Sequence, residues 1–194
     1  MPPDGPGRMM DMTMITSRRI LVLGGARSGK SRTAQALAEA ASGQRIYLAT
    51  AQAHDDEMRE RIDRHRAERA TSWRTCETPL ALAEGIRRET GPGRIVLVDC
   101  LTLWLSNILL AGEDIEAATS HLILAIGEAA GPLVMVSNEV GHGIVPTTPL
   151  GRRFRDAQGR LNQSVAGACE AVVFVAAGCP ILIKPAPTLG LKLA

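Results

Sequence analysis

Short, continuous aliphatic runs recur along this chain of 194 residues, and longer stretches of mixed polarity separate them. The runs predict strands at Arg19–Leu23, Arg45–Ala49, Arg94–Val98, Leu133–Ser137, Ala171–Ala176 and Ile181–Lys184. Most are apolar throughout rather than alternating, as in strands covered on both faces by helices. The intervening stretches predict helices at Ser31–Ala41, Asp55–Arg69, Pro79–Glu89, Leu103–Leu110, Ile115–Ala129 and Leu150–Cys169. Such alternation implies an α/β sandwich with a mainly parallel sheet. Its ligands belong beyond the carboxyl ends of the strands, which groups Thr50, Asp99 and the Asn138-Glu139 pair on one rim. Residues 19–184 read as one domain, with tails at 1–18 and 185–194.

The first strand runs into Gly24-Gly25-Ala26-Arg27-Ser28-Gly29-Lys30-Ser31, and a helix-forming stretch follows. This is the strand–turn–helix setting that a phosphate-binding loop requires. Glycines let backbone N–H groups converge on phosphate oxygens, and the helix N-terminus adds its positive dipole end. In this reading all eight residues touch nucleotide. Lys30 reaches the β and γ phosphates, and Ser31 holds a magnesium ion with Asp99 as the acidic partner after a later strand. The fold expected is therefore a P-loop nucleoside triphosphate hydrolase-like (RecA-like) three-layer sandwich.

Composition narrows the partners. Twenty-two basic against 20 acidic residues leave a net charge of +2, too balanced for nucleic acid or an anionic membrane as a standing partner. Residues 1–18 lack the apolar core of a secretory signal, and no run is long enough to span a bilayer. Cys76, Cys100, Cys169 and Cys179 are widely spaced, as in a reduced cytoplasmic protein rather than a disulfide framework or zinc site.

Two further regions carry candidate chemistry. In Asp55–Arg69, the acidic trio Asp55-Asp56-Glu57 suits a helix N-terminus, and Met58, Ile62 and His65 share one face. His65 reads either as a histidine on a half-buried helical face or as a nucleophile that Arg61, Arg64, Arg66 and Arg69 help to keep neutral. Around the fourth strand's end, Glu139 could hold metal or orient a hydroxyl, and Arg153 and Arg155 could neutralise phosphates; a salt-bridged surface helix is the alternative. Trp104 and Leu105 suit core, subunit interface or ligand wall equally. Asp156-Ala157-Gln158-Gly159 fits the short D-x-x-G pattern of switch GTPases, but no Asn-Lys-x-Asp guanine-reading motif accompanies it.

In order along the chain come G-G-A-R-S-G-K-S at Gly24–Ser31, Y-L-A-T, D-D-E-M and R-I-x-x-H-R within Tyr47–Arg66, and W-R-T at Trp73–Thr75. V-D-C-L-T at Val98–Thr102, N-E-V-G-x-G-I-V-P at Asn138–Pro146 and F-R-D-x-x-G-x-x-N-Q at Phe154–Gln163 follow. From Ile20 to about Lys184 the chain resembles the bifunctional adenosylcobinamide kinase / adenosylcobinamide-phosphate guanylyltransferases of cobalamin synthesis. The resemblance implies phosphorylation of adenosylcobinamide with ATP or GTP. It then implies GMP transfer from GTP to that phosphate through a guanylyl-histidine, which gives adenosylcobinamide-GDP and pyrophosphate. It puts the guanylyl group on His65, magnesium on Ser31 and Asp99, and nucleotide contacts on the loop, Thr50, Glu77 and Asp99. It also implies a cytoplasmic homo-oligomer, a trimer in the best-known type. A monofunctional kinase and a nucleotide-dependent switch are the competing readings of the same loop.

Overall fold

The computed structural model describes residues 16–52, 60 and 72–186. Chain order runs β1 (Arg19–Gly24), α1 (Lys30–Glu39), β2 (Gln44–Ala49), β3 (Trp73–Glu77), α2 (Leu82–Glu89), β4 (Arg94–Asp99) and α3 (Leu101–Leu110). It continues with α4 (Ile115–Glu128), β5 (Leu133–Asn138), α5 (Pro149–Ala168), β6 (Ala171–Ala176) and β7 (Cys179–Lys184). The strands form one seven-stranded sheet in the order β3-β2-β4-β5-β1-β6-β7. Every pairing is parallel except β6 with β7. The phosphate loop therefore leaves a central strand, and β5 lies between it and the strand that ends at Asp99.

Strict alternation within the apolar runs makes the three layers. Leu21, Leu23, Ile46, Leu48, Val96, Val98, Leu133 and Met135 face one side, where Ile86 of α2, Trp104 and Leu105 of α3, Leu122 and Ile126 of α4 and Leu161 and Val165 of α5 cover them. Val22, Tyr47, Ile95, Leu97, Val134 and Val136 face the other, against Ala34 and Ala38 of α1. Alanines let α1 sit close on the strands, so its N-terminus stays over the end of β1. Trp104 and Leu105 are core. At about 25 cal/mol per Å² of apolar surface, each fully buried leucine contributes roughly 2 kcal/mol before its entropy cost.

The β3 strand is absent from the expected set. Its sequence Trp-Arg-Thr-Cys-Glu buries only Trp73, so it has the polarity of an edge strand and no continuous apolar run. Helix α2 begins three residues later than its pattern suggests. The carbonyls of Pro79 and Leu80, which an earlier start would use, instead accept hydrogen bonds from Asn107 Nδ2 (3.0 Å) and Trp104 Nε1 (2.9 Å) of α3. Strand β7 turns back antiparallel through Ala177 and Gly178, both with positive φ (50° and 81°), the geometry of a tight hairpin. The expected helix at Asp55–Arg69 and the expected tails at 1–15 and 187–194 lie outside the described residues.

One carboxylate ties the amino edge of the sheet. Glu170 accepts from the Arg18 and Arg19 backbone N–H groups (2.8 and 2.6 Å) and from the Arg19 guanidinium (2.9 and 2.6 Å). Burial alone would raise its carboxyl, but these bonds outweigh it and hold the group below its ordinary value. A depressed carboxylate stabilises the fold above the unfolded value, about 4.3 for glutamate, and that contribution is lost as pH falls through the folded value. We expect Glu170→Gln to lower the urea midpoint at pH 7 and to narrow the drop between pH 7 and pH 3. A drop as large as that of the parent chain would remove Glu170 from the acid response.

Candidate active site

The loop between β1 and α1 is shaped by backbone contacts. Gly29 has φ 95°, and a Cβ there would lie 3.3 Å from Gly178 Cα. A Cβ on Gly24 would meet the Val175 carbonyl at 2.6 Å, so only glycine passes β6 at that point. Arg27 holds φ 56°, a conformation a side-chain-bearing residue adopts at some cost. Gly178 N–H donates to the Ser28 carbonyl at 2.9 Å, so the β6–β7 hairpin braces the loop from behind. Lys30 Nζ donates to the Gly25 carbonyl (3.1 Å), which sets its side chain along the loop rather than away from it.

Beside the loop, parallel register aligns the polar ends of the strands. Gly24 pairs with Asn138, and Ala49 pairs with both Asp99 and Glu77. The Glu139 N–H donates to the Gly24 carbonyl (3.1 Å), which carries β5 one residue past the sheet and against the loop. Glu139 Oε1 accepts from Gly141 N–H at 2.7 Å. The Tyr47 hydroxyl donates to Asp99 Oδ2 at 2.9 Å and fixes that carboxylate. Thr50 is buried, and its hydroxyl accepts from Cys100 N–H (2.8 Å) while donating to the Cys100 carbonyl (2.7 Å). It thus holds the backbone just beyond Asp99.

Behind this rim lies a buried polar cluster. Ser137 Oγ donates to Asn162 Oδ1 (2.7 Å), Gln158 Nε2 donates to Ser137 Oγ and Asn162 Oδ1 (both 2.9 Å), and Asn162 Nδ2 donates to the Asn138 carbonyl (3.0 Å). Thr102 Oγ1 accepts from Asn138 N–H at 2.8 Å. These bonds lock α5 and the start of α3 to the end of β5. Two buried oxygens at the rim, Ser28 Oγ and Asn138 Oδ1, have no hydrogen-bond partner among the described residues. A buried unsatisfied oxygen is costly, and a ligand or its water at this loop would complete the set.

Of the expected residues, the fold brings Gly24–Ser31, Asp99 and Glu139 together, with Thr50 directly behind Asp99. Glu77 ends the edge strand, four strand spacings from β1, or about 19 Å. His65 lies outside the described residues, as do Arg61, Arg64, Arg66 and Arg69. Arg155 pairs with its neighbour Asp156 (3.2 Å), and Arg153 lines a cleft against α4. Sequence reasoning assigned no site role to Tyr47, Thr102, Gln158, Asn162 or the Gly178 turn. A lone tyrosine in an aliphatic strand and a Gln-Asn pair at i, i+4 on one helix face were the available signals.

No group of three or more His, Cys, Asp or Glu side chains able to hold a metal occurs among the described residues. For a metal the rim instead offers the Ser31 hydroxyl and the Asp99 carboxylate, which Tyr47 orients. That donor set fits magnesium, which takes one or two protein oxygens and completes its shell with phosphate and water.

The chain matches the family described as cobinamide kinase / cobinamide phosphate guanyltransferase over residues 20–183. It is 51% identical over 172 residues to the bifunctional adenosylcobalamin biosynthesis protein CobP of Pseudomonas aeruginosa, covering 87% of this chain and 99% of that one. It is 43% identical over 180 residues to the bifunctional adenosylcobalamin biosynthesis protein CobU of Escherichia coli, covering 85% and 99%. Among solved structures, a prototypical ATPase from the type III secretion system of pathogenic bacteria aligns at 15% identity with a TM-score of 0.49, covering 81% of this chain and 50% of that one.

Cys100 follows Asp99 directly. Burial, with Asp99 adding to it, pushes its thiol up to about 11, and burial pushes Cys169 up to about 12. Neither forms a useful fraction of thiolate at neutral pH. Iodoacetamide at pH 7.5 should therefore alkylate exposed Cys179 well before Cys100 or Cys169, as read by peptide mass spectrometry. Cys100 modified as fast as Cys179 would mean that the rim opens in solution.

Proposed function

The chain belongs to the cobinamide kinase / cobinamide phosphate guanyltransferase family, and we propose from that membership and from the rim how its residues share the two reactions. It is a bifunctional transferase of the nucleotide-loop stage of cobalamin synthesis. One arrangement carries the assignment of residues: a phosphate loop on central β1, the Glu139 N–H bonded to its first glycine, and Asp99 oriented by Tyr47 two strands away.

In the kinase reaction the triphosphate of ATP or GTP lies along Gly24–Ser31, with backbone N–H groups and Lys30 balancing its charge. The aminopropanol hydroxyl of adenosylcobinamide attacks the γ phosphorus, the bond to the β-phosphate oxygen breaks, and the nucleoside diphosphate leaves. Glu139 stands beside the loop as the acceptor of the hydroxyl proton. Ser31 and Asp99 would hold magnesium, which supplies further charge neutralisation at the phosphates. Catalysis here is chiefly positioning and electrostatics.

In the second reaction a neutral nitrogen of His65 attacks the α phosphorus of GTP, and pyrophosphate leaves with its charge balanced by Lys30. A phosphate oxygen of adenosylcobinamide phosphate then displaces the histidine and forms adenosylcobinamide-GDP. Thr50 supports this set by holding the Asp99–Cys100 backbone, and Glu77 bounds the far end of the rim. A cytoplasmic homotrimer belongs to the same proposal by family resemblance. No helix among the described residues is long and apolar enough to cross a membrane.

Incubation with α-phosphorus-labelled GTP and magnesium, followed by denaturation, tests the covalent step. We expect acid-labile, alkali-stable label on the protein, none on His65→Ala, and less as pH falls and the ring protonates. A folded, GTP-binding protein without label would leave a monofunctional kinase or a switch. Lys30→Ala should lower both kcat/KM values by about a hundredfold or more, the scale of losing a charge aimed at the transition state.

A further inference from the structure

Helix α1 carries Lys30 and Ser31 in its first turn and Glu39 at its other end, about 14 Å along the axis. Gln35 Nε2 (2.8 Å) and Trp73 Nε1 (3.1 Å) donate to Glu39 Oε1, and Arg45 donates to the Glu39 backbone carbonyl (3.1 Å). The bonds from Gln35 and Trp73 hold this carboxyl below its ordinary value, so it is an ionised acceptor at neutral pH. Trp73 is the side chain that β3 buries. Its indole therefore joins the edge strand to the far end of the helix that begins at the loop.

The same indole backs Tyr47. Trp73 lies level with Arg45 of β2, so the two rings are diagonal neighbours on the face of the sheet that α1 covers. They meet edge to face, with centroids 6.2 Å apart and planes at 90°. Tyr47 is buried, and its hydroxyl reaches Asp99 Oδ2 (2.9 Å), two residues beyond its register partner Leu97. Alternation along β4 puts Leu97 and Asp99 on that same face. A continuous path thus runs from Glu39 through Trp73 and Tyr47 to Asp99, and it starts on the helix that carries Ser31. Both residues proposed to hold magnesium are then set by α1, one in its first turn and one through its last residue. An aliphatic side chain at position 73 would also cover Tyr47, but it would leave out the bond to Glu39.

We propose that Trp73 is a positioning residue for the Asp99 carboxylate. Its bond to Glu39 and its edge contact hold the Tyr47 ring, and Tyr47 in turn holds Asp99 Oδ2, so that the carboxylate keeps one orientation as the magnesium triphosphate binds. This rests on the reading of Asp99 as a magnesium ligand. Hydrogen bonds that orient a ligating carboxylate are worth about ten- to a hundredfold in metal affinity. Here that outer support extends through two further side chains and ends on α1.

The test is electron paramagnetic resonance of Mn2+, which shares magnesium's preference for oxygen ligands, titrated into the full chain with β,γ-imido ATP. Calorimetry of the same nucleotide without metal runs beside it. The parent is compared with Tyr47→Phe, Trp73→Phe, the double variant and Asp99→Asn. Tyr47→Phe should weaken Mn2+ about tenfold and leave the metal-free nucleotide affinity unmoved. Trp73→Phe keeps a ring beside Tyr47 but loses the Glu39 bond, so it should weaken Mn2+ less and in the same direction. Because both act along one path, the double variant should match Tyr47→Phe alone. Glu39→Ala should repeat Trp73→Phe and serves should that variant fail to fold. Parental Mn2+ affinity in Tyr47→Phe or in both Trp73→Phe and Glu39→Ala, or a double variant in which the two losses add, would overturn the positioning role. Parental Mn2+ affinity in Asp99→Asn would overturn the metal reading of Asp99 as well.

Discussion

The ladder that holds β1 between β5 and β6 is the constraint from which the site follows. Its register brings Gly24 level with Asn138 on one side and Val175 on the other. The chain must leave the sheet there with no Cβ, because the Val175 carbonyl occupies that space. Gly178 then bonds the Ser28 carbonyl, and α1 is anchored below by Ala34 and Ala38. A loop held on three sides has its conformation set by the surrounding fold. That is the condition for electrostatic stabilisation that needs no reorganisation during reaction.

Polar atoms inside an aliphatic core work in the same direction. Ser137, Gln158 and Asn162 would be costly to bury singly, and hydrogen bonding among them offsets most of that cost, with Gln158 Oε1 left without a partner among the described residues. Leucines of similar volume would pack the same space, but apolar contacts tolerate rotation and sliding of a helix. Directional bonds do not. The cluster fixes α5 at one height and one rotation against the end of β5. Thr50 plays the corresponding part between β2 and β4, where its one hydroxyl serves both backbone groups of Cys100.

Much of the fold was legible because the core strands are apolar on both faces and α1, α3 and α5 each follow one. The parallel order needed nothing more than that alternation. β3 escaped since an edge strand needs to bury only one side chain, and Trp73 alone gives no periodicity. The late start of α2 depends on carbonyls that Trp104 and Asn107 claim from another element, and no local pattern encodes such a claim. Within the candidate site, the Gly24–Ser31 loop and Asp99 stood out in the sequence because the chemistry proposed for them demands fixed neighbours. Tyr47 was not, because its value lies in register: it faces Asp99 only once β2 lies against β4. Asn162 and Gln158 were likewise silent until α5 met β5.

A site that transfers two different phosphorus atoms to one acceptor has to move something. The phosphate loop, braced by the hairpin, is poorly suited to shift, and so is Asp99, held by Tyr47 and the Thr50 tie. The described rim is therefore the fixed part, and what differs between the two reactions is the end of the acceptor, a hydroxyl in the first and a phosphate in the second. The second reaction waits on the first for a chemical reason, since its nucleophile is a phosphate oxygen that only the first reaction installs.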